Sequence, residues 1–240
     1  VTVFGCKAKM CGAAVALKMP GVIRVLRVGG TAVAVFVDTW WLAKAVLEAV
    51  KIELDEGPNA KASSAAFAEV LKAGLEAKDA VVGASIGDAP LALAGAVRRI
   101  EAVYSYPHQN HACMETMNAT VRYTPERCEV WVPTQGGEAA LAATAEASGL
   151  PPEKCEVYKI HLGGGFGRRG STDYVRQAVA IAKQMPGIPI KMLWSREEDM
   201  AQCRFHQVTQ GKLGAGVDGK GGVTACRVRI SGHCLAASVG

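Results

Sequence analysis

The alternation of apolar and polar positions in residues 1–54 predicts a small α+β unit. Two runs of β-branched residues are joined by Gly29-Gly30, a combination typical of a β-hairpin. Asp38 or Thr39 can cap the helix that follows. The apolar side of that helix is formed by Trp40, Trp41, Ala45 and Leu47. The predicted elements are a strand at 1–5, a helix at 13–19, strands at 22–28 and 31–37, a helix ending at 50 and a strand at 51–54.

Residues 55–96 have a different pattern, with two helical stretches separated by polar residues. The first helix can be capped by Ser63 or Ser64 and extends to Ala77, and the second covers about 90–95. The apolar positions of the first helix are Phe67, Val70, Leu71 and Leu75. This segment is predicted to connect its neighbours along the surface.

Strands dominate the pattern from residue 97 onward. They are predicted at 97–106, 117–123, 128–132, 155–161, 188–194, 207–217 and 222–231. Two helices interrupt them, at 137–148 and from Ser171 or Thr172 to Gln184. The pattern therefore predicts an α+β fold in three segments, 1–54, 55–96 and 97–240.

Composition narrows the function classes. Net charge is +5 over 240 residues, and no block of five or six like charges occurs, which disfavours nucleic-acid binding. No apolar run reaches 18 residues, so no transmembrane segment is predicted. Both ends interrupt a predicted strand or follow one abruptly, which indicates a piece of a longer protein.

Eight cysteines occur, and none forms a Cys-x-x-Cys pair. Cys6 and Cys11 are spaced as C-x4-C, but the C-x2-C that follows in plant-type ferredoxins is absent. Their most economical interpretation is as small buried apolar residues, and a disulfide stays open.

The segment most suggestive of chemistry is the glycine-rich stretch 163–170, between a predicted strand and a capped helix. Clustered backbone N–H groups before a helix start favour anions, so a phosphate cradle and a simple tight turn both stay open. No Gly-Lys-Ser/Thr follows, which excludes a P-loop. A dinucleotide fingerprint needs a third glycine at Arg168, so a nicotinamide- or flavin-binding oxidoreductase is disfavoured.

Read with its surroundings, this loop resembles that of a known family. Leu162–Arg169 (LGGGFGRR) resembles the GGGFG loop of the molybdenum hydroxylases, the xanthine dehydrogenase/aldehyde oxidase family. The double arginine is similar to the isoquinoline 1-oxidoreductase branch. Gln135 lies 31 positions before Phe166, where the family has its metal-facing glutamine.

Further segments carry the same resemblance in the same order. Residues 107–120 resemble the family's H-x-x-ME-P-x-N segment, with Thr116 in place of proline, and 194–200 resemble its R-E-D-M turn. Val3-Phe4-Gly5, 19–22 and 33–38 look like the end of the family's α/β hammerhead domain. The resemblance thus implies the end of a hammerhead domain (1–54), a helical connecting segment (55–96) and the first half of a molybdopterin-binding domain (97–240).

The family's chemistry follows as an expectation. The resemblance implies molybdenum on a molybdopterin dinucleotide, the cytosine form, with no direct protein ligand to the metal. It implies hydroxylation of an N-heterocycle or oxidation of an aldehyde, with water as oxygen source. The implied partners are an iron–sulfur small subunit that accepts the electrons, a remaining C-terminal cofactor-binding half and a small-molecule substrate.

The resemblance also implies roles for individual residues. Gln135 donates its side-chain amide to an oxygen on molybdenum. Phe166 and Gly167 pass close to the metal, with the Gly167 N–H as a donor. The close backbone approach to the cofactor is made by Gly163, Gly164 and Gly165. Arg168 and Arg169 either pair with cofactor phosphates or are surface charges.

Other polar residues are less specific. His206, or Arg204 beside it, is a substrate-contact candidate, since an active-site arginine lies near this register in xanthine-oxidising relatives. His108 and His111 are expected to hydrogen-bond within the fold, and Glu115 to be a buried, paired structural carboxylate.

The family's general base, a glutamate in a C-terminal Gly-x-Gly-Glu segment, has no counterpart in these 240 residues. The chain alone is therefore expected to be inactive and to bind the cofactor poorly. A non-catalytic structural or assembly module that retains the fold is the alternative. Periplasm and cytoplasm both stay open.

Overall fold

The computed structural model describes residues 7–234. The predicted strand at 1–5, the Val3-Phe4-Gly5 segment and Cys6 lie outside the described residues. The chain divides into two compact units, each built from two separate stretches. The first unit runs to Ala60 and continues at Asn110–Arg204, and the second comprises Lys61–Gln109 and the chain from Phe205. These units do not coincide with the three predicted segments.

The first part of the first unit contains the predicted hairpin, at residues 24–36. Its elements are β1 (Lys7–Gly12), β2 (Arg24–Val28), β3 (Ala32–Phe36), α1 (Trp40–Ala49) and β4 (Lys51–Asp55). Thr39 caps α1 through a hydrogen bond from Leu42 N, as predicted. The predicted apolar side of α1 is wrong, because Val46 is buried whereas Trp41 is 75% exposed. The predicted helix at 13–19 is a single 3₁₀ turn, Ala16–Lys18.

The rest of the first unit is a four-stranded sheet with helices on one face. Its elements are β6 (Asn118–Tyr123), β7 (Cys128–Val132), α4 (Gly137–Ser148), β8 (Cys155–Lys159), α5 (Asp173–Ala182), β9 (Ile190–Leu193) and α6 (Arg196–Gln202). The strand order is β8-β7-β6-β9, and only the β7–β8 pair within this sheet is parallel. Alternate strand residues such as Val121 and Val130 are buried against Tyr174 and Val179 of α5. The segment 194–200, which resembles the family's R-E-D-M turn, leads into helix α6 at Arg196.

The second unit is a smaller sheet carrying two helices. It contains α2 (Ser64–Leu75), α3 (Ala89–Ala94), β5 (Arg98–Tyr106), β10 (Thr209–Val217) and β11 (Val223–Gly232). The strands form an antiparallel sheet in the order β11-β10-β5. Both helices pack on it: a Cβ at Gly74 of α2 would lie 2.3 Å from Ser231 Oγ, and a Cβ at Gly216 would lie 3.5 Å from Leu93 of α3. The segment predicted as a surface connection thus forms part of a compact unit.

Across the described part of the chain, no helix has both the length and the apolar character that a membrane crossing requires.

Candidate functional site

Gln135 and the glycine loop are brought together by the parallel pairing of β7 with β8. Val132 at the end of β7 pairs with Lys159 at the end of β8, so the two strands end at the same edge of the sheet. Gln135 follows β7, and the loop 163–170 follows β8. The carboxyl edge of parallel strands is where open α/β sheets usually bind ligands.

The loop holds the side chain of Gln135 in one orientation. Its Oε1 accepts hydrogen bonds from the backbone N–H groups of Gly167 and Arg169, each at 3.1 Å. The backbone N–H of Gln135 donates to Arg169 O at 3.1 Å. Because two N–H donors face the same atom, that atom must be the amide oxygen, and the NH2 group is left to donate elsewhere. Gln135 is exposed, so this donor is accessible.

Two of the loop glycines are required by contacts within the chain. A Cβ at Gly163 would lie 2.4 Å from Cβ of Glu115, and one at Gly165 would lie 2.7 Å from Cδ of Gln135. The sequence suggests that the backbone approaches a cofactor closely at these two positions. In the structure, the atoms nearest to them belong to the side chains of Glu115 and Gln135. Gly167 is required for its conformation instead, at φ +93°, since a Cβ there meets nothing closer than His111 Nε2 at 3.9 Å.

Phe166 combines a strained backbone with an exposed ring. Its φ is +52°, a left-handed value that costs a non-glycine residue about 1–2 kcal/mol. Its side chain is 70% exposed. Burial in the core therefore does not offset this strain, and strained residues of this kind concentrate at ligand-contacting sites.

Arg169 lies beneath the loop and holds it to two other segments. Its side chain is fully buried. Nε donates to Gly164 O at 2.8 Å, Nη1 donates to Pro133 O at 3.2 Å, and Nη2 pairs with Glu115 Oε2 at 2.9 Å. The surface-charge alternative for Arg169 is wrong. Pairing with a phosphate stays a prediction, and the side chain would have to give up these buried bonds to make it.

Arg168 is buried as well, on the side of α5. It forms a two-pronged ion pair with Asp173, with both N–O distances 2.9 Å, and lies over the rings of Trp194 and Tyr174. Burial acts to lower the pKa of Arg168, but the hydrogen bonds and charges of Asp173 and Cys203 together outweigh it, so the pKa is raised. Arg168 is therefore not a surface charge either; like Arg169, it supports the loop from below.

Glu115 is paired, as the sequence predicts, but its side chain is 32% exposed and not buried. Besides Arg169, it accepts from the backbone N–H of Gly163 at 2.8 Å and from Asn118 Nδ2 at 2.9 Å. Glu115 N donates to Gly163 O at 3.0 Å. The 107–120 segment and the glycine loop are thus joined by one carboxylate and its backbone.

Arg196 and Asp199 of α6 hold the backbone of the 107–120 segment. The sequence assigns neither residue an individual role. Arg196 Nη2 donates to the carbonyls of Cys113 and Met114, at 2.6 and 2.8 Å, and Nη1 pairs with Asp199 at 3.2 Å. Asp199 is 1% exposed, and burial raises its pKa. The match of 194–200 to the family turn is the signal that could have identified both side chains.

The histidine and substrate candidates lie in different units. His206 belongs to the second unit, where its backbone N–H donates to Gln109 O at 2.8 Å and its carbonyl lies 3.1 Å from His108 Nδ1. Arg204 and His111 belong to the first unit, where His111 Nδ1 lies 3.7 Å from Cys203 Sγ. A substrate role for His206 or Arg204 stays a prediction. Within residues 7–234, no group of three or more potential ligand side chains could hold a metal ion.

Comparison with known proteins gives this geometry a context. A family model described as a molybdopterin cofactor-binding domain matches residues 75–238. The match begins inside the segment predicted to be a connection.

Related sequences and a similar solved structure point to the same family. The chain is 31% identical over 107 residues to the isoquinoline 1-oxidoreductase subunit beta of Brevundimonas diminuta. The aligned region covers 44% of this chain and 14% of that protein. It is 28% identical over 204 residues to the xanthine dehydrogenase molybdenum-binding subunit of Escherichia coli O157:H7, 82% of this chain and 27% of that protein. The fold is similar to that of the aldehyde oxidoreductase of Desulfovibrio gigas, with a TM-score of 0.70 at 19% identity, covering 93% of this chain and 29% of that one. The chain thus spans less than a third of each of these relatives.

Proposed function

This chain belongs to the family of molybdopterin cofactor-binding domains, and we propose that it forms part of the active site of a molybdenum oxidoreductase. The proposed reaction is hydroxylation of an N-heterocycle or oxidation of an aldehyde, with water as oxygen source. The observation that carries the proposal is the orientation of Gln135, whose amide NH2 is directed away from the two N–H groups that hold its oxygen.

The residues present fit such a cofactor. Gln135 offers an accessible neutral donor, and Phe166 beside it offers an exposed ring on a strained backbone. A bound molybdopterin dinucleotide, the cytosine form, would supply the two-electron redox chemistry that protein side chains lack. The site residues we propose to face it are Gln135, Gly163, Gly164, Gly165, Phe166 and Gly167, with Arg168 and Arg169 supporting the loop.

We assign tasks to three of these residues. Gln135 stabilises negative charge on the cofactor side without adding a competing base. The N–H of Gly167, which the sequence suggests as a donor toward the metal, instead orients the Gln135 amide at 3.1 Å. The exposed ring of Phe166 offers the cofactor an apolar contact.

The acid–base group must come from elsewhere, because no Gly-x-Gly-Glu segment occurs in these 240 residues. We propose that a further cofactor-binding segment supplies the glutamate and that an iron–sulfur subunit accepts the electrons. The chain alone is then inactive.

The test is the molybdenum-to-protein ratio, with extraction of the pterin, on the chain purified with whatever co-purifies from cells competent in molybdenum insertion. Gln135→Ala should lower the ratio at least severalfold, since it removes the oriented donor. Gln184→Ala is the matched control, because Gln184 is an exposed glutamine whose side chain makes no hydrogen bond among the described residues.

Three results are informative. Molybdenum in the wild type and its loss in Gln135→Ala support the proposal. Equal molybdenum in both would contradict the role of Gln135. No molybdenum in the wild type, with or without a partner, would favour the structural or assembly module.

A further inference from the structure

The second unit contains a cleft of about 260 Å³ where the ends of α2 and α3 meet the β5–β10–β11 sheet. Its charged lining consists of Arg99, Lys212, Arg227, Arg229, Glu76 and Glu101. There are two more cations than carboxylates in this set. An excess of positive charge in a concave site with apolar walls concentrates small anions.

Strand register places these charges on one face. Lys212 pairs with Arg229 across β10 and β11, and Gly214 pairs with both Arg227 and Glu101. Directly paired residues, and residues two apart along a strand, point to the same side of a sheet. Gly214 has no side chain, so it leaves an open floor between the side chains of its two partners.

Two of the arginines are fixed in place by the helix ends. Arg99 Nη2 donates to Ala94 O at 2.9 Å at the end of α3, and Arg229 donates to Ala77 O just past α2. Lys212 pairs with Glu76 at 3.0 Å. Holding the cations in advance reduces the ordering cost of binding.

Arg227 is different, because its guanidinium donates no hydrogen bond to any residue in 7–234. Its charge still reaches the cleft: the pKa of Glu76 is lowered by the hydrogen bond and charge of Lys212 first, with Arg229 and Arg227 contributing. An arginine whose donors are engaged by no residue in 7–234, in a cleft of net positive charge, suits a planar or tetrahedral oxyanion.

We propose that this cleft binds a small organic oxyanion, a carboxylate or phosphate on an apolar body, with Arg227 as the main contact of the charged group. Leu75, Pro90 and Leu93 provide apolar surface for the body of the ligand. This site uses neither the glycine loop nor a molybdenum cofactor, so it stands or falls independently of the proposed function.

Isothermal titration of the full chain tests the proposal with three probes: benzoate, phenyl phosphate and the neutral benzamide. Benzoate or phenyl phosphate should bind and benzamide should not, and binding should weaken as NaCl is raised from about 50 to about 500 mM. The comparison of benzoate with phenyl phosphate identifies which charged group the cleft accepts.

Variants inside and outside the cleft distinguish binding in the cleft from nonspecific attraction by surface charge. Arg227→Gln should lower the affinity for the anion that binds about tenfold. Arg98→Gln, an exposed arginine on β5 outside the cleft, should change binding less than about twofold. Glu101→Gln should tighten it, because one competing negative charge is removed.

Gly214→Val provides a steric test. A Cβ at Gly214 has no neighbour closer than Glu101 Oε1 at 3.8 Å, so the fold should accept the change while the floor of the cleft is filled. Binding should then be lost. Equal affinity of the wild type and Arg227→Gln, tight binding of benzamide, or absence of anion binding at low salt would each overturn the proposal.

Discussion

Glu115→Gln is the sharpest test of how the glycine loop is held. Glu115 is the anionic partner of Arg169, whose side chain is fully buried, and it also accepts from Gly163 N. Removing one member of a buried ion pair costs about 3–5 kcal/mol, because the other charge is left in a medium of low dielectric constant. The Glu115 side chain is 32% exposed, and Arg169 keeps its bonds to Gly164 O and Pro133 O. We therefore expect a cost just below that range, about 2–3 kcal/mol.

Tryptophan fluorescence during urea unfolding is the appropriate assay. All four tryptophans, Trp40, Trp41, Trp131 and Trp194, belong to the first unit, so the signal reports on the unit that contains the loop. With an m-value of about 2 kcal/mol/M, the midpoint should fall by about 1–1.5 M. The matched control is Glu126→Gln, an exposed carboxylate in the turn between β6 and β7, which should shift the midpoint by less than about 0.25 M. A shift as small for Glu115→Gln as for the control would refute the reasoning that the buried Arg169 depends on this carboxylate.

Two further predictions concern Asp199 and Cys128, whose pKa values are raised by burial. Asp199 has a folded pKa above its unfolded value, so the folded state holds its proton more tightly, and stability is lost as pH rises above about 3.9 through the folded pKa. The difference in urea midpoint between Asp199→Asn and the wild type should therefore move in favour of the variant as pH rises, and a constant difference would contradict this assignment. Burial raises the pKa of the Cys128 thiol to about 12, so Cys128 should resist alkylation at pH 8 in the folded chain while the exposed Cys226 and Cys234 react. Peptide mass mapping after brief iodoacetamide treatment checks this, and labelling of Cys128 at the rate of Cys226 would be the contrary result.

Local features of the fold were predictable because they depend on neighbours along the chain. Thr39 and Ser63 cap their helices through bonds to residues three positions later, and Gly149 ends α4 in the left-handed conformation, at φ +76°. Periodicity also located most strands to within a few residues. It could not show which side of α1 is buried, because both sides carry large apolar residues and packing decides between them.

Within the candidate site, the sequence predicted which residues come together, through the spacing and order of motifs that resemble one family. The structure adds contacts within the chain that constrain two of the glycines and both arginines. Gly163 and Gly165 accommodate Glu115 and Gln135, and Arg168 and Arg169 are buried ion-pair partners. The sequence alone does not indicate whether an arginine faces solvent or lies buried under a loop, because residues distant in sequence contribute to its burial.

By itself, then, the sequence determined the α+β class, the helix caps, the hairpin at Gly29-Gly30 and the identity of the glycine loop that carries Phe166, with Gln135 upstream of it. These depend on interactions among neighbours or on a motif written in consecutive residues. Only the tertiary structure decided that the chain divides into two interleaved units, that Glu115 and Arg169 join the 107–120 segment to the loop, and that four cations share a cleft in the second unit. Each of those depends on contacts between segments far apart in sequence, and such contacts are chosen by burial and charge pairing in three dimensions.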